Sequence, residues 1–202
     1  MNKLSVLLVS LSVLTLAACQ TSSLSEDEKR APEASVTSVS GRVLEVDEAQ
    51  SVVSFVGKSN IVNHEGKFND FSVSIKQDPE SPADLEKATI EVVIDIASVE
   101  VDSDGLRNHL LQEEFFNAEA FPQATFRSTS IENISGNRYK ISGDMTLKGK
   151  TEPLTMTADI TDDYLTATFD IMRATYGIGN DAYGQKLLDP AVPVQVKLVF
   201  KK

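Results

Sequence analysis

Few side chains in this 202-residue sequence have the types and spacing that catalysis or metal binding requires. The sequence contains one cysteine, Cys19, and two histidines, His64 and His109. Neither histidine has a second ligand at metal-site spacing, and the sequence lacks the nucleophile-elbow, zinc-helix and phosphate-loop motifs. The segment Asp102-Ser103-Asp104-Gly105 lacks the later acidic positions of a calcium loop and fits a helix cap better. We therefore expect a protein that is not an enzyme and has neither a cofactor nor a metal ion.

Cys19 lies at the end of an apolar N-terminal stretch. Residues 4–16 follow the charge of Lys3 and are apolar apart from four Ser and Thr side chains, which is typical of a secretory signal. These 13 residues are too few for a membrane-spanning helix, which needs roughly 20. The segment Leu16-Ala17-Ala18-Cys19 resembles the lipobox of bacterial lipoproteins. The resemblance implies a signal peptide at residues 1–18 and cleavage before Cys19, with diacylglycerol on its sulfur and an acyl chain such as palmitate on its new amine. The alternative is a secreted protein with an incidental cysteine.

Residues 19–39 are rich in Ser, Thr, Glu, Ala and Pro and show no apolar periodicity, which is typical of a solvated linker. They separate the proposed acylated N-terminus from one folded domain at residues 40–202. Removal of residues 1–18, which carry one positive charge, changes the formal net charge from −11 to −12. This charge argues against nucleic acid as a partner and against electrostatic docking on anionic lipid. We expect membrane contact through the Cys19 acyl anchor in the cell envelope, and Gln20 favours the periplasmic face of the outer membrane if the host has two membranes.

Alternation of apolar and polar residues with period two dominates the sequence from Gly41 onward. Each alternating run predicts a β-strand with one apolar and one polar face. Short turn segments separate the runs, which predicts antiparallel pairing of consecutive strands. The fold class is therefore all-β, with about eight or nine strands that form a barrel or two packed sheets. The predicted strands lie within residues 43–47, 52–57, 71–75, 88–101, 125–131, 139–148, 154–161, 165–171 and 192–200.

One short helix interrupts the predicted strands. The segment Asp102-Ser103-Asp104 supplies an N-cap, and Leu106, Leu110 and Leu111 follow at helical spacing. A longer helix would place charged side chains inside the apolar face. We therefore expect the helix to end near Leu111 and a separate turn to carry Phe115 and Phe116.

Several sequence segments together resemble the YceI-like family of bacterial exported proteins. The resemblance implies a lipocalin-like antiparallel β-barrel of about eight strands around an apolar tunnel that holds a polyisoprenoid. An eight-stranded barrel can be filled by side chains or can hold one slender ligand, and the residues themselves leave both open. The matching segments are Ser51-Val52-Val53-Ser54-Phe55, Gly66-Lys67-Phe68-Asn69-Asp70-Phe71, His109-Leu110, Phe115-Phe116, Phe121-Pro122-Gln123-Ala124-Thr125-Phe126, Gly143-Asp144-Met145-Thr146-Leu147-Lys148-Gly149, and Arg173 with Tyr176-Gly177-Ile178.

The candidate ligand contacts are the inward apolar residues and the polar residues near one barrel end. His109 either contacts a lipid head group or is a half-buried histidine bonded to the backbone. Arg173 and Tyr176 either meet a diphosphate or quinone oxygen or form a surface cation–aromatic pair. The full set is Phe55, Phe71, His109, Leu110, Phe115, Phe126, Met145, Leu147, Met156, Phe169, Arg173 and Tyr176.

Three functional hypotheses follow from the sequence. In the first, the barrel binds a polyisoprenoid, a prenyl quinone or a similar long apolar lipid for carriage, storage or protection. In the second, a barrel filled by its own side chains docks an envelope partner through its acidic exterior. In the third, His109 acts as a catalyst with Arg173 or Tyr176. The sequence leaves both a monomer and a homodimer open.

Overall fold

The computed structural model describes residues 43–181 and 184–202. The predicted signal peptide (residues 1–18), Cys19 and the predicted linker up to residue 39 lie outside the described residues. The described part is dominated by β-structure, as the alternating sequence predicts.

The described chain contains eleven strands and two α-helices. Two single 3₁₀ turns, Leu85–Lys87 and Ile96–Ser98, lie between strands. The helices are α1 (Asp104–Leu110) and α2 (Gly184–Leu187). The strands are β1 (Val43–Leu44), β2 (Val46–Lys58), β3 (Asn63–Phe68), β4 (Phe71–Lys76), β5 (Thr89–Asp95), β6 (Val99–Val101), β7 (Gln123–Ser135), β8 (Arg138–Leu147), β9 (Lys150–Ile160), β10 (Tyr164–Met172) and β11 (Ala191–Phe200).

All strands belong to one antiparallel sheet in the order β1-β4-β5-β7-β8-β9-β10-β11-β2-β3-β6. One residue separates β1 from β2, yet Leu44 pairs with Ile75 on β4 while Val46 pairs with Phe200 on β11. The two ends of the run from β4 to β11 are therefore joined by one bent strand, and the sheet curls into a ring. Counting β1 and β2 as one strand, this ring has eight strands, so the predicted all-β antiparallel barrel is confirmed.

The inward face of the sheet carries the apolar half of the alternating pattern. Ile141, Ala158 and Leu198 are buried, whereas their polar neighbours along the same strands are more exposed. Burial of apolar surface contributes about 25 cal/mol per Å², and it is the main favourable term that holds such a sheet closed. The clean period of strands β8–β11 thus predicts both their position and their orientation.

The turn at Lys148-Gly149 joins β8 to β9 and has positive φ angles at both residues, 49° and 72°. Such angles favour glycine, because a Cβ atom clashes with the backbone there. A side chain at Gly149 would also collide with the ring of Phe121. The glycine at this turn therefore allows Phe121 to pack over it.

The predicted helical segment is confirmed as α1, which is capped by Ser103. The Ser103 Oγ accepts a hydrogen bond from the backbone N–H of Leu106 at 3.3 Å. Phe115 and Phe116 lie in the irregular turn that follows. This turn brings two aromatic side chains to the same end of the barrel as the helix.

Two features of the predicted strand pattern are wrong. Residues 88–101 form two strands rather than one, because the Asp95 carboxylate accepts a hydrogen bond from the Ala97 N–H at 2.8 Å and caps a 3₁₀ turn. Strand β3 was not predicted, since its sequence Asn63-His64-Glu65-Gly66-Lys67-Phe68 has one large apolar residue. Together β3 and β6 extend the sheet beyond β2 at one end of the barrel.

Candidate functional site

The barrel encloses a cavity of about 720 Å³. Ligand pockets in proteins commonly have volumes of about 300–1,000 Å³, and this cavity lies in that range. Inward residues of seven strands form most of its walls, and β3 and β6 add His64, Phe68 and Val101. The main wall residues are Val53, Phe55, Ile90, Val92, Ile94, Phe126, Ile141, Met145, Leu147, Leu154, Met156, Leu165, Ala167, Phe169, Ile171, Val192, Val194, Val196 and Leu198.

Ten of the twelve predicted ligand contacts line this cavity. Eight of them are apolar, and the other two are His109 and Arg173. The ten residues are Phe55, His109, Leu110, Phe115, Phe126, Met145, Leu147, Met156, Phe169 and Arg173. For the six residues on strands this position follows from the alternation, which sends every second side chain of a strand to the inside, whereas His109, Leu110, Phe115 and Arg173 lie on α1 or in turns.

Phe71 and Tyr176 do not belong to the cavity lining formed by the described residues. Phe71 is buried in the core cluster around β4 and β5. Tyr176 is 4% exposed and packs in a second cluster with Ile178 and Ile171. Burial raises the pKa of the Tyr176 phenol, and the nearby negative charge of Glu152 adds to this effect. Both aromatic rings therefore pack in the apolar core of the barrel beside residues that line the cavity.

Three aromatic rings pack together on one wall of the cavity. The ring of Phe55 lies 5.6 Å from that of Phe68 and 6.4 Å from that of Phe116, and Phe68 and Phe116 are 6.0 Å apart. Aromatic pairs prefer these tilted and edge-to-face arrangements. The cluster joins β2 and β3 to the turn after α1, so it fixes the wall below the cavity mouth.

The cavity reaches the surface at one end of the barrel, because exposed residues of the β2–β3 loop also line it. This mouth is bounded by the β2–β3 loop, α1, the turn after α1 and α2. His64 on β3 bonds through Nδ1 to a carboxylate oxygen of Asp102 at 2.9 Å. That contact links β3 to the segment that enters α1.

The mouth carries more acidic than permanently cationic side chains among the described lining residues. Glu114, Asp181 and Asp189 are the carboxylates, and Lys58 and Arg173 are the cations. His109 is exposed, and its ring packs edge-to-face on Phe115 at 4.7 Å. Of the two alternatives for His109, the half-buried one disagrees with this exposed position, since α1 holds the ring at the rim of the mouth.

Arg173 is a buried cation that binds the backbone. Arg173 is only 6% exposed, and all five N–H groups of its side chain donate to backbone carbonyl oxygens. Nε donates to Asp189 at 2.8 Å, Nη1 donates to Ile178 at 3.0 Å and Gly179 at 2.6 Å, and Nη2 donates to Gly184 and Leu188, both at 2.9 Å.

Because these donors are already used, Arg173 has none left for a phosphate or a quinone oxygen. It is also not the surface cation that the alternative interpretation requires. Arg173 instead holds the segment from Ile178 to Asp189, including α2, against the mouth of the barrel. Because the acceptors are backbone atoms, no residue type in the sequence indicates this role of Arg173.

The β2–β3 loop is a part of the mouth that sequence reasoning missed. Ile61 and Val62 line the cavity although they are 77% and 49% exposed. The apolar pair between Asn60 and Asn63 was the available signal, but it breaks the alternating pattern. On α2 and just beyond it, Leu187 and Leu188 also line the mouth.

No group of His, Cys, Asp or Glu side chains within residues 43–181 and 184–202 is arranged to hold a metal ion. The same part of the chain contains no helix that is long and apolar enough to span a membrane. The site is therefore defined by an apolar cavity with a polar mouth.

An antiparallel barrel with an apolar internal cavity and one mouth has the geometry of barrels that hold one small ligand. The YceI-like domain matches residues 44–200, and the chain belongs to this family. The match covers nearly all of the described structure.

Two relatives by sequence are UPF0312 proteins. One from Photorhabdus laumondii is 35% identical over 95 residues, which are 47% of this chain and 47% of the relative. One from Yersinia pestis is 34% identical over 119 residues, which are 59% of this chain and 52% of the relative. The chain spans about half the length of the curated relatives it matches.

Solved structures show the same fold. BcnA from Burkholderia cenocepacia superimposes with a TM-score of 0.70 at 30% identity, covering 77% of this chain and 99% of BcnA. A YceI protein from Campylobacter jejuni gives 0.61 at 25% identity, covering 68% of this chain and 84% of that chain. A polyisoprenoid binding domain from Saccharophagus degradans gives 0.59 at 15% identity, covering 80% of this chain and 98% of that domain.

Proposed function

We propose that this chain binds a polyisoprenoid, a prenyl quinone or a similar long apolar lipid inside the barrel, for carriage, storage or protection and without chemical turnover. The observation that carries the proposal is the cavity of about 720 Å³ with apolar walls. A membrane lipid with a long hydrocarbon chain matches these walls.

The size of the cavity sets the length of chain that it can hold. At roughly 30 Å³ per heavy atom, the share of one molecule in liquid water, the cavity accommodates about 24 heavy atoms. Each buried methylene contributes about 0.8 kcal/mol, so ten carbons give roughly 8 kcal/mol before ordering costs. Useful affinity therefore needs no strong polar contact, and a longer chain would extend through the mouth.

The comparison with the Saccharophagus degradans domain supports this ligand class, since that domain is described as polyisoprenoid binding. Its identity to this chain is low, so the support comes from the shared barrel. The cavity walls of this chain supply the second, independent line of support.

The proposal places the protein in the bacterial envelope. Acylation of Cys19 would tether the barrel to a membrane through the linker at residues 19–39. The sequence Leu16-Ala17-Ala18-Cys19 supports this part, and Gln20 favours the periplasmic side of the outer membrane if the host has two membranes. Mass spectrometry of the mature N-terminal peptide tests it directly, because acylation adds the mass of the lipid to Cys19.

The other two hypotheses have less support. A barrel filled by its own side chains disagrees with the cavity. An enzyme built on His109 with Arg173 or Tyr176 requires these groups to meet. In the structure the N–H groups of Arg173 donate to backbone carbonyls, and Tyr176 is buried in a core cluster and is not among the described residues that line the cavity.

Native mass spectrometry of the purified mature protein tests lipid binding. We expect a co-purified lipid, and uptake of an added prenyl quinone by protein that has been stripped of lipid. Met156→Trp should reduce uptake because Met156 lines the cavity. Thr157→Trp is the matched control, since Thr157 is the next residue on β9 and is exposed. A protein that stays empty in both tests would contradict the proposal.

A further inference from the structure

The rim of the mouth, defined as residues 59–62 of the β2–β3 loop together with α2, presents apolar side chains to solvent. Ile61 is the most exposed large apolar side chain in the described part of the chain, at 77%. Val62 beside it is 49% exposed. Both also line the cavity, so the exposed apolar surface of the rim is continuous with the cavity walls.

Hydrogen bonds fix the shape of the β2–β3 loop. The Ser59 Oγ accepts from the N–H of Ile61 at 3.2 Å and of Val62 at 3.0 Å, and it donates to the Val62 carbonyl at 2.7 Å. The Ser59 N–H donates to the same carbonyl at 3.1 Å. The turn thus holds Ile61 away from the protein by its own geometry.

The loop is also attached to α2. The N–H of Asn60 donates to the Leu187 carbonyl at 3.0 Å, and Ser59 forms a β-bridge with Leu188. Because Arg173 holds the Leu188 carbonyl, the rim is connected to the buried arginine. The loop therefore holds the side chains of Ile61 and Val62 in a fixed, exposed position. Exposure of apolar side chains to water is unfavourable, and exposed apolar surface of this kind is typical of an interaction site.

We propose that the rim docks on the surface of a lipid bilayer, with Ile61 and Val62 inserted among the lipids, and that the apolar ligand passes directly between the bilayer and the cavity. This inference rests on the proposed function. A ligand with a long hydrocarbon chain resides in a bilayer, and direct contact spares it an exposed path through water.

The charge of the protein defines the kind of bilayer. The formal net charge is −11, and the carboxylates that line the mouth, Glu114, Asp181 and Asp189, outnumber the two lysines beside it, Lys58 and Lys186. Anionic headgroups would repel such a surface, so docking must come from apolar insertion into a zwitterionic surface. Basic protein segments, in contrast, bind membranes through electrostatic attraction to anionic lipids.

The length of the chain before the barrel permits this orientation. Strand β2 ends at the mouth, and three of its residues are looped out of register where it pairs with β11, so at about 3.3 Å per residue its start lies roughly 30 Å away, at the opposite end. Between Cys19 and Val43 the chain advances 24 residues (43 − 19), a span of up to about 80 Å when extended. An anchor at Cys19 would therefore leave the mouth free to face the same bilayer.

The test measures transfer of a prenyl quinone from phosphatidylcholine vesicles to lipid-free mature chain carrying Cys19→Ser, which removes the proposed anchor. Ile61→Ser combined with Val62→Ser should lower the initial transfer rate at least fivefold. Equilibrium binding of the same quinone added from detergent should fall by a smaller factor than the transfer rate, because Ile61 and Val62 also line the cavity; an equal fall in both would overturn the inference. Ile134→Ser is the matched control, since Ile134 is 54% exposed but lies outside the described cavity lining, and its rate should stay unchanged.

The remaining outcomes separate the two proposals. If the double variant takes up quinone from vesicles as fast as the parent, the rim does not dock on lipid and the inference is overturned, while lipid binding stands. Such a result would point to a protein partner for the rim. If the parent takes up no quinone from vesicles or from detergent, lipid binding itself fails. Replacing a third of the phosphatidylcholine by an anionic lipid should slow transfer, and acceleration would also contradict the inference.

Discussion

Phe55 pairs with Gly66 across strands β2 and β3, and its ring covers the position where a side chain of residue 66 would lie. A Cβ atom at Gly66 would approach the ring atoms Cε1 and Cε2 to 2.7 and 2.9 Å. The glycine therefore lets Phe55 lie against the cavity wall instead of projecting into the cavity.

We predict that Gly66→Ala moves the Phe55 ring into the cavity and reduces lipid uptake. The overpacking should destabilise the barrel by about 1–3 kcal/mol. Quinone titration and urea unfolding measure the two effects. Gly105→Ala is the control, because a Cβ atom there meets no atom within 4 Å and Gly105 lies outside the described cavity lining. Equal uptake by both variants would show that Phe55 does not limit the cavity.

Arg173→Met should destabilise the protein by about 3 kcal/mol or more, because five carbonyl groups lose a charged donor. Urea unfolding measures the loss, and hydrogen exchange should rise in residues 177–190 before it rises in β8 and β9. The control is Arg138→Met, since Arg138 makes an exposed ion pair with Asp159 at 3.2 Å. Exposed pairs are worth less than about 1 kcal/mol. Similar losses in both variants would contradict the bracing role of Arg173.

The raised pKa of the Tyr176 phenol predicts that the protein loses stability in alkaline solution. Burial raises the pKa of this phenol above the ordinary value of 10.0, so the folded state holds the proton more tightly than the unfolded state does. This contribution is complete below pH 10 and declines as the pH rises from 10.0 through the folded-state pKa.

Burial lowers the pKa of Lys148 below 10.5, which acts in the opposite direction, since stability then rises with pH up to 10.5. Comparison of the parent with Tyr176→Phe removes this background. We expect the free energy of unfolding of the parent to fall relative to that of Tyr176→Phe as the pH rises above 10. A difference that stays constant over this range would exclude the titration of Tyr176.

The charges at the mouth predict a preference for neutral head groups. A prenyl alcohol should bind more tightly than the corresponding prenyl diphosphate, because the diphosphate meets three carboxylates while Arg173 has no free donor. Glu114→Gln should strengthen diphosphate binding several-fold at low salt, and the gain should fade as salt screens the charges. The alcohol serves as the control and should respond little. Tighter binding of the diphosphate by the parent would show that Lys58 dominates the mouth.

Much of the fold could be predicted because most strands have one apolar and one polar face. Strands β8–β11 show this alternation over most of their length, and their inward residues lie where the pattern places them. Strand β3 was not predicted because Gly66 stands at an inward position where the alternating pattern requires an apolar side chain. The ring of Phe55 from the neighbouring strand β2 fills that space instead. The identity of β3 as a strand depends on pairing with β2, which the local sequence does not encode.

The alternating pattern could not predict the cavity itself. An inward apolar residue such as Met156 occurs at the same positions of the pattern in a filled barrel and in a hollow one. The alternation indicates which side chains face inward, but it does not indicate how much space they leave inside the barrel. The role of Arg173 was hidden for a related reason. Its partners are carbonyl groups of residues 178–189, and backbone carbonyls carry no sequence signature.

The bent strand formed by β1 and β2 constrains the order in which the molecule can be assembled. Leu44 and Val46 lie at the start of the domain, yet Val46 pairs with Phe200 near its end. Such long-range pairing is slow to form, because a large loop must close first. During synthesis the N-terminal residues emerge first, and they must wait for the last strand before the ring can close. Until then both sheet edges stay open, so the unfinished protein is vulnerable to mispairing and to proteases.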